Sequence, residues 1–197
     1  MSALPRIARV YWWTAAEATG LEECRLDTDP VDDCYVAHGS ILGIERDGIR
    51  RGKPFRLTYK VKADANWHTR KVTLEARGAD RPPVVRILRS DGKGNWKDSR
   101  GDALEPAKGC LDIDIWATPF TNTLPIRRLN VNGSGGRQTI RALRVAGPDL
   151  QLRNVAQHYS ALPGGRVLFE DDGTFRAELA LDADGVVTDY PGLFRRV

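Results

Sequence analysis

Phe55, Leu57, Tyr59, Val61 and Ala63 alternate with Arg56, Thr58, Lys60 and Lys62, so this stretch presents one apolar face and one wet face. A period of two is that of a strand, whose successive side chains point to opposite sides of a sheet. After Asp64-Ala65-Asn66 the pattern returns over Thr69 to Ala76, with Val72, Leu74 and Ala76 inward. Two such runs joined by turn residues describe an antiparallel sheet packed on one face and solvated on the other.

The rest of the chain repeats this grammar. Ile7 to Trp13 is strand-like in its aromatic content, and Leu21 to Asp27 is a short segment ending in the turn residues Asp27-Thr28-Asp29-Pro30. Tyr35 to Ile44, with Gly39 and Gly43 inside it, reads as a bent or bulged strand ahead of an Asp47-Gly48 turn. Pro82-Pro83 interrupts, then Val84 to Leu88 forms another strand before the turn at Asp91-Gly92-Lys93-Gly94. Asn132-Gly133-Ser134-Gly135-Gly136 reads as a hairpin loop, because the Lys-Ser or Lys-Thr of a phosphate loop does not follow it. Thr139 to Val145 and Leu150 to Val155 flank Gly147-Pro148, and Val167 and Phe169 pair across Asp172-Gly173 with Phe175, Ala177, Leu179 and Leu181. Asp184-Gly185 then turns the chain into Val186 to Asp189. Many short strands spaced about 8 to 12 residues apart predict a mainly β, many-stranded sheet that curls on itself. No amphipathic helix of three turns is evident, and the 197 residues read as one domain, 1–197.

One stretch breaks the pattern. In Gly109 to Trp116, Leu111, Ile113 and Ile115 point one way, while Cys110, Asp112, Asp114 and Trp116 point the other. Thr118-Pro119 stops that strand, and Pro125 leads into Ile126-Arg127-Arg128-Leu129. A short helix is expected to begin near Pro119 or Pro125 without running smoothly through both, because an interior proline clashes with the carbonyl four residues back. The curled sheet is expected to cover this helix.

Composition excludes several classes. The net charge is only +4, with basic residues spread along the chain, so nucleic acid is not an expected partner. No run approaches the roughly 20 apolar residues of a membrane helix, and Arg6 and Arg9 interrupt the only apolar stretch near the N-terminus. The sequence therefore predicts no integral membrane segment and a cytoplasmic location. Cys24, Cys34 and Cys110 lack CxxC spacing and read as buried thiols. His38, His68 and His158 are scattered, so neither a metal nor another cofactor is expected.

Several blocks resemble one known family. These are Gly109 to Asp114, Thr118-Pro119, Thr121-Asn122-Thr123-Leu124-Pro125-Ile126-Arg127-Arg128-Leu129 and the ending Asp189-Tyr190-Pro191-Gly192-Leu193-Phe194, with weaker matches at Tyr59 to Val61 and Trp67-His68-Thr69-Arg70. Together they resemble the bacterial family described as Putative glycolipid-binding. The resemblance implies a spiral β-roll, an antiparallel sheet wrapped around a single short helix, similar in outline to bacterial lipoprotein carriers of the envelope. It implies as ligand a glycolipid or another amphiphilic small molecule.

The candidate ligand-binding residues are Asp112, Asp114, Trp116, Asn122, Thr123, Arg127, Arg128, Trp67 and Tyr190. An arginine fork could meet a phosphate or sugar hydroxyls beside an apolar wall at Trp116. The same acids and arginines could equally form an internal ion-pair network that pins the helix to the sheet. Three function classes stay open: a non-enzymatic binding protein, a small-molecule enzyme using Asp112, Asp114 and Arg127, and a homo-oligomeric module, such as a homodimer, built through sheet edges. No residue is singled out as catalytic.

Overall fold

The N-terminal half is a meander in which each strand pairs antiparallel with the next: β1 (Ala8–Ala15), β2 (Gly20–Asp29), β3 (Cys34–Asp47), β4 (Arg50–Asp64), β5 (Thr69–Gly78), β6 (Arg81–Ser90) and the two-residue β7 (Trp96–Lys97). A short β8 (Asp112–Ile115) is followed, beyond the helical segment, by a second meander: β9 (Arg137–Ala146), β10 (Gln151–Ala161), β11 (Val167–Asp171), β12 (Arg176–Leu181), β13 (Val187–Tyr190) and β14 (Phe194–Arg196). The computed structural model describes residues 8–15, 19–47, 50–173 and 175–197. Ile7, Arg6 and the Gly48 half of the expected Asp47-Gly48 turn lie outside them.

The two meanders join through β14, which pairs antiparallel with β1 at Trp13–Arg196, so all fourteen strands make one sheet. That sheet does not close, having β7 at one edge and β8 at the other. It curls until those edges meet: the Trp96 indole of β7 donates to the Cys110 carbonyl at 2.7 Å, just ahead of β8. There the Gly109 amide donates to the Gly94 carbonyl at 2.9 Å, and a Cβ on Gly94 would lie 2.9 Å from the Gly109 Cα. Gly94 has no room for a side chain at that crossing, and Gly109 sits at φ 79°, where glycine is unstrained.

The alternation of β4 and β5 holds residue by residue, with Leu57, Tyr59, Val61, Val72, Leu74 and Ala76 buried and Arg56 and Lys60 exposed. No bulge falls between Tyr35 and Ile44 as expected, since both ladders run unbroken past Gly39 and Gly43; the register slip against β4 lies just beyond, between Ile44 and Arg46. Pro82 and Pro83 do not interrupt the chain as expected but lie inside β6, where the β5 ladder skips between the Ala76–Val84 and Gly78–Arg81 pairs. A missing N–H costs no ladder bond at such an irregularity.

The segment after β8 lies inside the roll, and every residue from Ala117 to Ile126 is buried. Pro119 leads into a 3₁₀ turn, Phe120–Asn122, which passes directly into α1 (Thr123–Leu129). The helical path therefore runs through both prolines by changing pitch between them. Pro125 falls in the first α turn, where its lost N–H was unpaired anyway. Asn130, left-handed at φ 47°, ends α1, and α2 (Val131–Ser134) follows where a hairpin loop was expected. This connection is a crossover, since β8 and β9 run parallel. Phe120 and Leu124 pack into the larger core of the first meander, while Ile126 and Val131 pack into the smaller core of the second. The three cysteines are buried free thiols.

Candidate functional site

Asp112 and Asp114 do share one face of β8, but each has its own arginine. Arg128 of α1 grips Asp112 with both ends of its fork, at 2.5 and 3.2 Å. Asp112 is 1% exposed, and burial pushes its carboxyl above the ordinary range while the Arg128 fork opposes the push. Asp114 accepts from Arg144 at 2.8 Å and from Gln157 at 2.7 Å. The network continues through the Tyr159 hydroxyl, which donates to Asn122 at 3.0 Å and reaches Gln157 at 3.3 Å. Thr123 is fully buried, and its hydroxyl has no partner among the described residues. Arg127 donates to the Asp184 carbonyl at 2.9 Å and lies over Trp67, which stacks on Tyr35 at 3.9 Å. Tyr190 sits apart in an aromatic group with Phe169, Phe175 and Phe194.

The structure thus brings Asp112 to Arg128, and links Asp114 to Asn122 through Gln157 and Tyr159 of β10, fastening the helical segment to the sheet. A cavity of about 270 Å³ lies elsewhere, between β1 to β4 and the turn after β8. Of the nine candidate residues, Trp116 alone lines it. Its walls are Trp13, Ile41, Phe55, Trp116, Leu193 and Phe194. Phe55 and Trp116 meet ring to ring at 5.4 Å.

At this cavity sits Glu22, which sequence reasoning passed over. Cys24 and Leu26 point inward from β2, and the strand's period of two carries Glu22 inward with them while Glu23 faces out. Glu22 is 2% exposed. Its Oε1 accepts from the Tyr59 hydroxyl at 2.6 Å and from the Thr118 hydroxyl at 2.7 Å. Thr118 in turn accepts the Phe120 amide at 3.0 Å, so the residue that ends the β8 segment also starts the 3₁₀ turn. Oε2 has no hydrogen-bond partner among the described residues.

Tyr59 reaches Glu22 only because of Gly39. In register, Gly39 of β3 stands between Tyr59 of β4 and Cys24 of β2. A Cβ on Gly39 would fall 2.0 Å from the Tyr59 ring, so the bare backbone lets the ring lie across β3 toward β2.

Burial pushes the Glu22 carboxyl up to about 8, and the hydrogen bonds from Tyr59 and Thr118 pull it down only in part. Glu22 is therefore a neutral acid at pH 7. Two hydroxyls already donate to Oε1, so the acid proton belongs on Oε2. Burial raises the Cys24 thiol and the Tyr59 phenol as well, leaving both neighbours uncharged. Glu45, the other acid lining the cavity, is held by Arg81 at 2.8 and 3.0 Å.

The family described as Putative glycolipid-binding matches residues 10–196. The chain belongs to that family. Among solved structures, the crystal structure of a DUF1089 family protein from Pseudomonas aeruginosa is similar at 39% identity and a TM-score of 0.80. That match covers 91% of this chain and 92% of the other. A beta-barrel-like protein of the domain of unknown function DUF1849 from Brucella abortus shares the fold alone, at 11% identity and a TM-score of 0.57, over 99% of this chain and 96% of that one. No curated protein matches the chain. No helix among the described residues is long and apolar enough to cross a membrane.

Proposed function

We propose that this protein binds a glycolipid or a related amphiphile, one end of which enters the cavity beside Glu22. The observation that carries the reading is a cavity walled by aromatic and aliphatic side chains beside a buried carboxyl group that keeps one oxygen unpaired. Apolar lining with a few placed polar groups is the general make-up of small-molecule sites. The family's description points to the same ligand class. A cavity of about 270 Å³ lies just below the usual range for drug-sized ligands, so it holds part of a lipid while the remainder stays outside.

Trp116 touches the ligand in this reading. The Asp112–Arg128 ion pair and the hydrogen-bond chain from Asp114 to Asn122 instead fix the helical segment that follows Thr118.

Native mass spectrometry with lipid extraction of the purified protein tests the proposal. An amphiphile should co-purify or bind on addition, and Leu193→Trp, which enlarges a 38%-exposed side chain lining the cavity, should abolish it. Undiminished binding in that variant would place the ligand elsewhere.

A further inference from the structure

Resting on that reading, we propose that the cavity selects ligands whose buried end is an uncharged hydrogen-bond acceptor, such as a hydroxyl, ether, ester or amide oxygen, which the Glu22 acid receives through Oε2–H, and that it rejects anionic ends. The geometry assigns the roles. Tyr59 and Thr118 both occupy Oε1, at 2.6 and 2.7 Å, which leaves Oε2 as the buried, unpaired atom of a residue that lines the cavity. A buried polar atom left unsatisfied is costly, so a ligand that satisfies it gains over one that cannot.

The lining supplies the rejection. Its ionisable members among the described residues are Glu22, which holds its proton, and Glu45, whose charge Arg81 already takes up; no lysine, arginine or histidine lines it. A carboxylate or phosphate entering there would be desolvated without a cation to meet it. The groups facing Glu22 from each packed element are Trp13 of β1, Cys24 of β2, Ile41 of β3, Tyr59 of β4 and Thr118 of the turn, none of them cationic. Burial raises Cys24 and Tyr59 well above their ordinary values, so of these groups Glu22 is the one that changes charge between pH 6 and 9.5.

Three probes of one chain length separate the possibilities: 1-decanol, decanoate and decylammonium, titrated at pH 6.5 with tryptophan fluorescence and native mass spectrometry as readouts. Decanol is expected to bind at least tenfold more tightly than either ion. Its affinity should fall at least fivefold from pH 6.5 to 9.5 as Glu22 ionises, and should stay flat in Glu22→Gln, whose amide donates at every pH. Decanoate or decylammonium binding as tightly as decanol would overturn the inference while leaving the amphiphile reading in place, and so would a pH-independent wild type. If none of the three probes binds, the amphiphile reading itself fails and takes the inference with it. The probe comparison and the wild-type pH profile stand without the variant.

Discussion

Glu22→Gln separates the electrostatic cost of Glu22 from its shape. The amide keeps the carboxyl's outline and an oxygen for Tyr59 and Thr118, but it has no proton to lose. In the wild type the unfolded chain ionises Glu22 near the ordinary value of 4.5, whereas the folded chain holds the proton to about 8. Between those values the folded state binds more protons than the unfolded state, so stability falls as pH rises. Each pH unit in that window costs about 1.4 kcal/mol. Relative to the variant, the wild type should therefore lose about 3 kcal/mol by pH 7 and about 4 to 5 kcal/mol by pH 8.5, with the two proteins within about 1 kcal/mol of each other at pH 4.5. Other titrating groups cancel in the difference. Urea unfolding of both proteins at pH 4.5, 7 and 8.5 measures it, provided the slopes match. A gap that stays constant across the three pH values would refute the claim that Glu22 is buried as a neutral acid.

Other substitutions probe the parts that hold this site. Gly39→Ala should destabilise by about 3 kcal/mol and release the Tyr59 contact, because the new methyl meets an aromatic ring in the core; a cost below about 0.5 kcal/mol in urea unfolding would contradict the proposed crossing. Asp112→Ala should cost about 3 to 5 kcal/mol, since it leaves Arg128 nearly buried and unpaired, and thermal unfolding that matches the wild type would count against that network. Thr118→Val should weaken the hold on Glu22 Oε1 and strip the Phe120 amide of its acceptor, lowering stability by about 1 to 2 kcal/mol by urea unfolding; an unchanged midpoint would argue against the contact.

The sheet was legible because its evidence is local. Alternation in β4 and β5 and the turn residues at Asp91 and Asp184 each act within a few residues of themselves. The buried position of Pro119 to Ile126 also followed, from one helical candidate standing among many strands that must curl over something. What escaped depends on partners far along the chain. Pro82 and Pro83 fit a strand only because β5 skips register beside them. The crossover from β8 to β9 needs a parallel pairing that no short-range pattern announces.

Glu22 escaped for the same reason. Leu21-Glu22-Glu23 looks polar and exposed, and only the inward register of Cys24 and Leu26 sets one glutamate apart from the other. Its partners come from 37 and 96 residues away, Tyr59 across Gly39 and Thr118 from inside the roll. The conspicuous acids, Asp112 and Asp114, meet arginines; the inconspicuous one meets the cavity.

The side-chain carboxyl of Glu22 can be followed directly by carbon-detected NMR, assigned through Glu22→Gln, from pH 4 to 10 with and without 1-decanol. A midpoint near 8 that moves upward on adding the alcohol is the predicted result. A midpoint near 4.5, or a signal indifferent to the alcohol, would contradict a neutral acid that receives the ligand.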